Sequence, residues 1–326
     1  MRRREFLAGI GGAAVWPNAA RPQQPSMPVV GYLSSFAPDV HEKYALAFRK
    51  GLNEGGFLEE RNVRIQFRLA EQGRYDRLPQ LAFELISQKV AVLFATPINA
   101  ALAAKTATTV VPTVFAIGSD PVDMGLVSTL NRPGGNTTGA TFLSSGLGAK
   151  RLELLRELVP NIVSVALLVN PNNPTTAMQT KDTEDAARAL GLQLNVLHLA
   201  SPKDLEAVFG SLAQRNINAL VVSADSLFSV RRKEIVEFTT AHAVPVIYSA
   251  REYAEAGGLI SYASDYSDSF RAAAVYVGRI LRGESPADLP VIQPTKFELV
   301  INQKAAKAMR LHIPDRMLAL ADEVIE

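Results

Sequence analysis

The chain has 326 residues, of which 48% are hydrophobic, and a formal net charge of +2. It contains no cysteine, which excludes disulfides, thiolate metal sites, a cysteine nucleophile and a membrane anchor built on a lipidated cysteine. The first 20 residues hold three arginines and one glutamate, so the rest of the chain is formally neutral and has no general attraction for nucleic acid or anionic lipid. Its length suffices for two hydrophobic cores, at roughly 100–200 residues per domain.

The N-terminus has the pattern of an export signal. Three arginines at residues 2–4 precede Glu-Phe-Leu, and an apolar, glycine-rich run follows at residues 8–16. This arrangement resembles the twin-arginine signal, and the run is too short to span a bilayer, which takes about 20 helical residues. A buried core helix is the alternative, but the arginine cluster disfavours it. We expect residues 1–26 to form an export signal and coil, with cleavage near Ala20 and delivery to the periplasm.

Strand-like and helix-like segments alternate along the rest of the chain. Short apolar runs bounded by turn residues predict buried strands, and apolar residues at helical spacing predict the helices between them. The first series has strands at residues 29–33, 63–67, 90–95, 113–117 and 138–142, and helices at residues 41–55, 75–88 and 100–108. The second has strands at residues 164–169, 192–199, 219–223, 245–248 and 259–263, and helices at residues 147–158, 176–190, 205–214 and 230–242.

A tail follows the second series. It comprises a helix at residues 266–281, an extended proline-rich stretch at residues 287–294, a strand at residues 297–301 and a short helix at residues 304–309. The alternation as a whole predicts an α/β protein with two doubly wound parallel-sheet domains and a ligand cleft between them. Ligands of such sheets lie beyond the carboxyl ends of the strands.

Sequence motifs of enzymes are missing from this chain. There is no G-x-S-x-G nucleophile elbow and no phosphate-binding loop. His41 and Glu42 begin like a zinc-binding helix, but Ala45 stands where the second histidine should be, and the four histidines lack ligand spacing. The sequence therefore predicts no catalytic residue, no metal ligand and no cofactor.

Polar residues follow six of the predicted strands. They lie at residues 34–35, 96–99, 118–121, 170–172, 224–226 and 248–249. Small hydroxyl and amide side chains beside helix N-termini can bind an anion such as a carboxylate. The same residue types cap helices, so a single polar strand end is ambiguous. Six of them around one cleft favour a small-molecule site.

Three stretches resemble one family closely. They are PTVFAIGSDPVDMGLVSTLNRPGGNTTG at residues 112–139, DLPVIQPTKFELVIN at residues 288–302 and ADEVIE at residues 321–326. They resemble the ABC-transporter substrate-binding family that includes tryptophan- and phenylalanine-binding members. The resemblance implies the type I periplasmic-binding-protein fold, with three chain crossings near residues 143–148, 264–265 and 286–294. It therefore implies an N-terminal lobe of residues 27–144 plus 265–290, and a C-terminal lobe of residues 145–264 plus 291–326.

The resemblance and the polar strand ends together give a set of expected ligand-binding residues. The set comprises Ser34, Ser35, Phe36, Thr96, Pro97, Asp120, Asn170, Asp225 and Tyr248. Hydroxyl groups of the N-terminal lobe would hold an anionic group, Asp225 a cationic group, and Phe36 or Tyr248 would stack on an apolar portion. Members with amino-acid ligands often have asparagine after the Asp225 position, where this chain has Ser226. The alternative for Asp225 is a helix cap, which predicts that its removal costs stability instead of affinity.

The expected function is the periplasmic solute-binding component of an ABC importer. The protein would act as a monomer, capture an amino-acid-like or aromatic carboxylate solute by hinge closure, and deliver it to an ABC permease and its ATPase. One alternative is a sensory protein that presents its ligand to a membrane receptor. Another is a periplasmic hydrolase that uses Asp120 and Asp225 as paired carboxylates.

Overall fold

The computed structural model describes residues 27–70, 74–215 and 217–326, and the predicted export signal lies outside them. The described residues form two α/β lobes, each with a mostly parallel sheet covered by helices. The predicted fold class is confirmed.

The first five strands of the described chain form the sheet of the N-terminal lobe. They are β1 (Val29–Ser34), β2 (Arg64–Leu69), β3 (Val92–Thr96), β4 (Thr113–Ile117) and β5 (Thr137–Thr141). All are parallel, in the order β2-β1-β3-β4-β5, so their carboxyl ends meet at one edge. The strands β3, β4 and β5 are buried throughout, which explains why β3 and β4 are near-continuous apolar runs in the sequence.

The next seven strands form the sheet of the C-terminal lobe. They are β6 (Ser164–Val169), β7 (Gln193–His198), β8 (Ala219–Val222), β9 (Val246–Tyr248), β10 (Ile260–Ser264), β11 (Phe297–Asn302) and β12 (Glu323–Ile325). Their order is β12-β11-β10-β9-β8-β6-β7, and β11 alone among the described pairs runs antiparallel, against β10. The strand β12 has no counterpart among the sequence predictions, because three partly exposed residues give no periodic signal.

Helices cover both sheets. They are α1 (Pro38–Glu54), α2 (Leu78–Ser87), α3 (Ile98–Ala107), α4 (Gly148–Leu158), α5 (Thr176–Leu190), α6 (Leu205–Gln214), α7 (Ser226–Val230), α8 (Arg232–Ala241), α9 (Arg251–Glu255), α10 (Tyr266–Leu281), α11 (Gln303–Ala308) and α12 (Asp315–Leu320). The predicted helix at residues 230–242 is wrong in its start, because α7 ends at Val230 and α8 begins after Arg231. The short helix α9 was not predicted.

The long helix α10 packs on α1 and thereby returns the chain to the N-terminal lobe. Phe270, Ala273 and Val277 bury its apolar face in the core of that lobe. Gly51 of α1 allows the two backbones to touch, since a Cβ at this position would overlap the carbonyl group of Arg271. Asp265 begins the helix by accepting hydrogen bonds from the first-turn backbone N–H groups.

The chain passes between the lobes three times: after β5, after β10 and before β11. In the last passage Ile292 is still bonded to the N-terminal sheet. Its N–H donates to the Gly139 carbonyl at 2.9 Å, and its carbonyl accepts from the Thr141 N–H at 2.8 Å. The third crossing therefore starts after Ile292, slightly later than the predicted boundary at residue 290.

Candidate ligand-binding site

A cavity of about 640 Å³, including its opening, lies between the two lobes. Residues 36, 97–99 and 118–119, after β1, β3 and β4, line one side. Residues 173, 175, 224–226 and 249–250, after β6, β8 and β9, line the other. The cavity therefore lies where the carboxyl ends of the two sheets face each other, as the sequence predicts for a doubly wound pair.

Four aromatic side chains of the N-terminal lobe form what we call the aromatic wall: Phe36, Tyr44, Phe142 and Tyr266. The rings of Phe142 and Tyr266 stack with centroids 4.1 Å apart, and Tyr44 lies 5.9 Å from Tyr266. Behind them Phe270 stacks on Tyr44 at 4.7 Å and joins the wall to the core of the lobe. The core thus holds the rings in place, and their faces suit an apolar or aromatic ligand.

Three buried hydroxyl groups in the cavity lining have no hydrogen-bond partner among the described residues: those of Ser119, Ser144 and Tyr253. Leaving a buried hydroxyl unpaired costs about 1–3 kcal/mol, so each of these groups is ready for a ligand or a water molecule. The helix α3 begins beside them, with residues 97–99 in the lining and no side chain capping its N-terminus. Its free N–H groups and dipole favour an anion.

A buried cation lies behind this end of the cavity. Arg151 is 2% exposed and, within the described ranges, its guanidinium forms no ion pair. Instead it donates to the carbonyl groups of Ser144 at 2.8 Å, Tyr262 at 3.0 Å and Ser249 at 3.4 Å. Burial lowers the pKa of Arg151 to about 10, so it remains charged at neutral pH. Arg151 therefore links the first crossing, at Ser144, to β10 and to the end of β9, and it adds a positive charge that an anionic ligand would balance.

Asp225 lies in the cavity lining and caps α7. One carboxylate oxygen accepts from the Leu227 N–H at 2.8 Å and from Asn170 at 3.0 Å. The other accepts from Asn173 at 2.8 Å and from the Tyr75 hydroxyl at 2.9 Å. Burial raises the pKa of Asp225, while these donors act in the opposite direction. A carboxylate has about four acceptor positions, so the protein itself fills them all, and the geometry agrees with the helix-cap alternative.

Glu252 of α9 is the second acidic side chain in the lining. Its Oε1 accepts from the Tyr44 hydroxyl at 2.6 Å and from Lys43 Nζ at 2.9 Å. Its Oε2 accepts no hydrogen bond from the described residues, although the side chain is only 8% exposed. Burial, together with the negative charge of Glu252, raises the pKa of Tyr44 well above its usual range.

Direct contacts hold the two lobes closed over the cavity. The pairs that cross the cleft include Ser35–Ser226, Tyr75–Asp225, Asp39–Arg232, Lys43–Glu252 and Tyr44–Glu252. Each pair takes one partner from each lobe, and three of these five join α1 of the N-terminal lobe to α8 or α9 of the other. Opening the cleft would break them all.

Comparison with known proteins identifies the family. Residues 37–325 match the family model described as ABC transporter substrate binding protein. The chain belongs to this family. A tyrosine-binding protein of Clostridioides difficile (strain R20291) is 26% identical over 269 residues, which cover 82% of this chain and 76% of that protein. The family predicted from the sequence is confirmed.

Solved structures agree with this assignment. An ABC domain in complex with L-Trp from Streptococcus pneumoniae superimposes on this substrate-binding protein with a TM-score of 0.85 and 25% identity, covering 92% of this chain and 100% of that one. A conserved domain protein from Vibrio cholerae gives a TM-score of 0.85 at 26% identity, with 91% and 99% covered. Within the described residues no helix is both long and apolar enough to cross a membrane.

The structure brings three of the predicted ligand-binding residues into the lining of this substrate-binding protein: Phe36, Pro97 and Asp225. Ser35 is buried at the junction of the lobes, where its hydroxyl bonds to that of Ser226 at 3.1 Å. In this closed arrangement Ser35 therefore contacts the other lobe, and its partner Ser226 lines the cavity.

Three other predicted residues lie just behind the lining in this structure. The hydroxyl of Ser34 accepts from the Phe36 N–H, and that of Thr96 donates to the Ala116 carbonyl at 2.7 Å. Asn170 donates to Asp225. These side chains are buried among backbone and side-chain partners, because neighbouring residues at the end of a strand point to opposite sides.

Asp120 and Tyr248 are also outside the lining. Asp120 accepts from the backbone N–H groups of Val122 at 2.7 Å and Asp123 at 3.3 Å, so it stabilises a local turn. The paired carboxylates of the hydrolase alternative are therefore not assembled in the cavity. Tyr248 is fully buried with its hydroxyl bonded to Thr239, and its ring stacks at 4.7 Å on Tyr253, which lines the cavity in its place.

The sequence interpretation missed much of the lining that lies on helices and crossings. The missed residues with aromatic or acidic side chains are Tyr44, Phe142, Glu252, Tyr253 and Tyr266. Tyr44 belongs to the apolar stripe of α1, which predicts only burial. Tyr266 begins α10 directly after a predicted crossing. Because crossings border the cleft, this position could have predicted Tyr266 as a lining residue.

Proposed function

We propose that this protein is the solute-capturing component of an ABC importer and that its solute is an aromatic amino acid or a related aromatic carboxylate. The observation that carries the proposal is the pairing, within one closed cavity, of the aromatic wall with buried hydroxyl groups that lack partners. The relatives described as tyrosine-binding and as bound to L-Trp support the same class of solute.

The aromatic portion of the solute would pack on the aromatic wall. Each favourable pair of rings contributes about 0.5–1.5 kcal/mol beyond its buried area. The rings of Phe142 and Tyr266 are already stacked and packed against the lobe core, so little conformational entropy is lost on binding.

The carboxylate of the solute would bind beside the aromatic wall, on the same N-terminal side of the cavity. Ser119 and Ser144 supply hydroxyl donors, and α3 supplies N–H groups at an uncapped N-terminus. Arg151 stands behind Ser144 without an acidic partner among the described residues. A bound carboxylate would pair these donors and balance that charge.

Closure of the two lobes is the expected binding step. A solute that touches both walls binds the closed arrangement more tightly than the open one and shifts the population towards it. The contact between Tyr75 and Asp225 forms only across the closed cleft. We place the mature protein in the periplasm as a monomer that passes its solute to an ABC permease and its ATPase.

Calorimetric titration of the purified protein tests the proposal, preceded by native mass spectrometry to detect solute carried through purification. We expect L-Trp, L-Tyr or L-Phe to bind with a Kd in the micromolar range or below, and L-Leu and a hexose to bind far more weakly. Tyr266→Leu should weaken binding at least tenfold. Tyr276→Leu, on the same helix but outside the cavity lining, is the control. Tight binding of a sugar without binding of any aromatic amino acid would overturn the proposal.

A further inference from the structure

We infer that Glu252, and not Asp225, receives the ammonium group of an amino-acid solute and so makes the site select α-amino acids over the corresponding deaminated acids. This inference rests on the proposed function. It starts from the two acidic side chains in the cavity lining, Asp225 and Glu252, which differ in how much of their hydrogen-bonding capacity the protein leaves free.

Asp225 has no acceptor position left. Four donors surround its carboxylate, from Leu227, Asn170, Asn173 and Tyr75, at 2.8–3.0 Å. An ammonium group could bind there only by displacing one of them. Displacement of Tyr75 would open the cleft that binding should close, and displacement of the Leu227 N–H would uncap α7.

Glu252, in the same lining, has one carboxylate oxygen that no described residue uses. Both described donors, Tyr44 and Lys43, bond to Oε1, while Oε2 receives none. Lys43 also contacts Glu255 at 3.5 Å, so its charge is shared between two carboxylates. The Glu252 side chain is only 8% exposed, and a ligand N–H donor at Oε2 would complete its set of hydrogen bonds.

The position of Glu252 also suits the head group of an α-amino acid, whose ammonium and carboxylate groups sit on one carbon. Glu252 lies three residues after Ser249, and Arg151 bonds to the carbonyls of both Ser249 and Ser144. Glu252 is also bonded to Tyr44, which packs against Tyr266 of the aromatic wall. The expected anion site at Ser144 and the Glu252 side chain therefore both line this cavity.

The test compares each amino acid with its deaminated partner: L-Trp with 3-indolepropanoate, L-Tyr with 3-(4-hydroxyphenyl)propanoate and L-Phe with 3-phenylpropanoate. Calorimetric titration gives the ratio of the two Kd values for each variant. We expect the wild-type protein to prefer the amino acid at least 100-fold, and Glu252→Gln to reduce this preference at least tenfold. Glu252→Asp keeps the carboxylate on a shorter side chain, farther from the ligand, and should give an intermediate ratio.

Two control variants separate recognition from closure. Asp39→Asn removes an interlobe ion pair that does not involve Glu252, so it should weaken both ligands of a pair equally. Asp225→Asn should likewise leave the ratio unchanged. An unchanged ratio in Glu252→Gln, or a collapsed ratio in Asp225→Asn, overturns the inference. If the wild-type protein binds none of the six compounds, the proposed function itself is overturned. That outcome is distinguishable from an unexpected Kd ratio, which overturns only the role of Glu252.

Discussion

The two walls of the cleft satisfy their polar groups in different ways. On the N-terminal side, rings from the lobe core reach the cavity, and the hydroxyls of Ser119 and Ser144 there are buried without partners. On the C-terminal side, Asn173 and Asp225 belong to a hydrogen-bonded network that the protein completes by itself. The N-terminal wall thus offers unpaired donors to a ligand, whereas the part of the C-terminal wall around Asp225 serves rigidity and lobe closure; on that wall the unpaired groups belong to Glu252 and Tyr253 instead. Nearness to the cavity is therefore a poor guide to ligand contact.

Removal of a ring from the aromatic wall should have the largest effect. Phe142 is 3% exposed and stacks on Tyr266, so Phe142→Ala should lower the free energy of unfolding by about 3–5 kcal/mol and also weaken solute binding. Urea unfolding measures the loss. Phe83→Ala, at a ring that is 66% exposed, is the control and should change stability by less than about 0.5 kcal/mol. Equal stabilities of the two variants would show that the wall is not part of the core.

Asp225→Ala tests the hydrogen-bonded network around Asp225 on the C-terminal wall. The substitution leaves Asn170, Asn173 and Tyr75 without their acceptor and uncaps α7, so we expect a loss of about 2–4 kcal/mol of ligand-free stability. Thermal unfolding without solute measures this loss. Asp120→Ala, which removes only a local turn contact, should cost about 1 kcal/mol or less. A normal melting temperature together with lost affinity would return the cation-binding role to Asp225.

The stability of the N-terminal lobe should also depend on pH through a half-buried histidine, His41. Burial lowers the pKa of His41 to about 4, below the value near 6.5 of an unfolded chain. As the pH falls, His41 therefore takes up a proton in the unfolded state before it does so in the folded state. The contribution of neutral His41 to the free energy of unfolding is complete above pH 6.5 and is lost as the pH falls towards 4.

Allowing for its partial exposure, protonation of His41 should cost about 1–2 kcal/mol. Unfolding of the wild-type protein and of His41→Phe between pH 7 and pH 4 measures the difference. His198→Asn, at an exposed position on the other lobe, should leave the pH dependence unchanged. Parallel pH curves for the wild-type protein and His41→Phe would contradict the expectation.

The unpaired hydroxyls should give the smallest effects. Ser119→Ala or Ser144→Ala removes a buried donor that has no protein partner, so ligand-free stability should stay the same or rise slightly. Affinity for the solute should fall by about 1 kcal/mol for each substitution. Ser261, also buried and unpaired but outside the lining, serves as the control, since Ser261→Ala should leave affinity unchanged. Unchanged affinity in both cavity variants would place the carboxylate elsewhere.

The sequence by itself determined the fold class, most strands and helices, and the edge of each sheet where the cavity lies. These follow from local periodicity, because an apolar run or stripe reports which residues must be buried wherever the chain goes. The family resemblance was equally available from contiguous segments, of which residues 112–139 are the longest.

Only the tertiary structure decided which side chains line the cavity. The saturation of Asp225 depends on Tyr75, which is 150 residues away on the other lobe, and the free oxygen of Glu252 depends on how α1 meets α9. Tyr253 lines the cavity where Tyr248 was expected, because it lies on α9, a helix too short to give a periodic signal. Hydrogen-bond partners and side-chain directions are set when distant elements dock, and local patterning carries no information about that step.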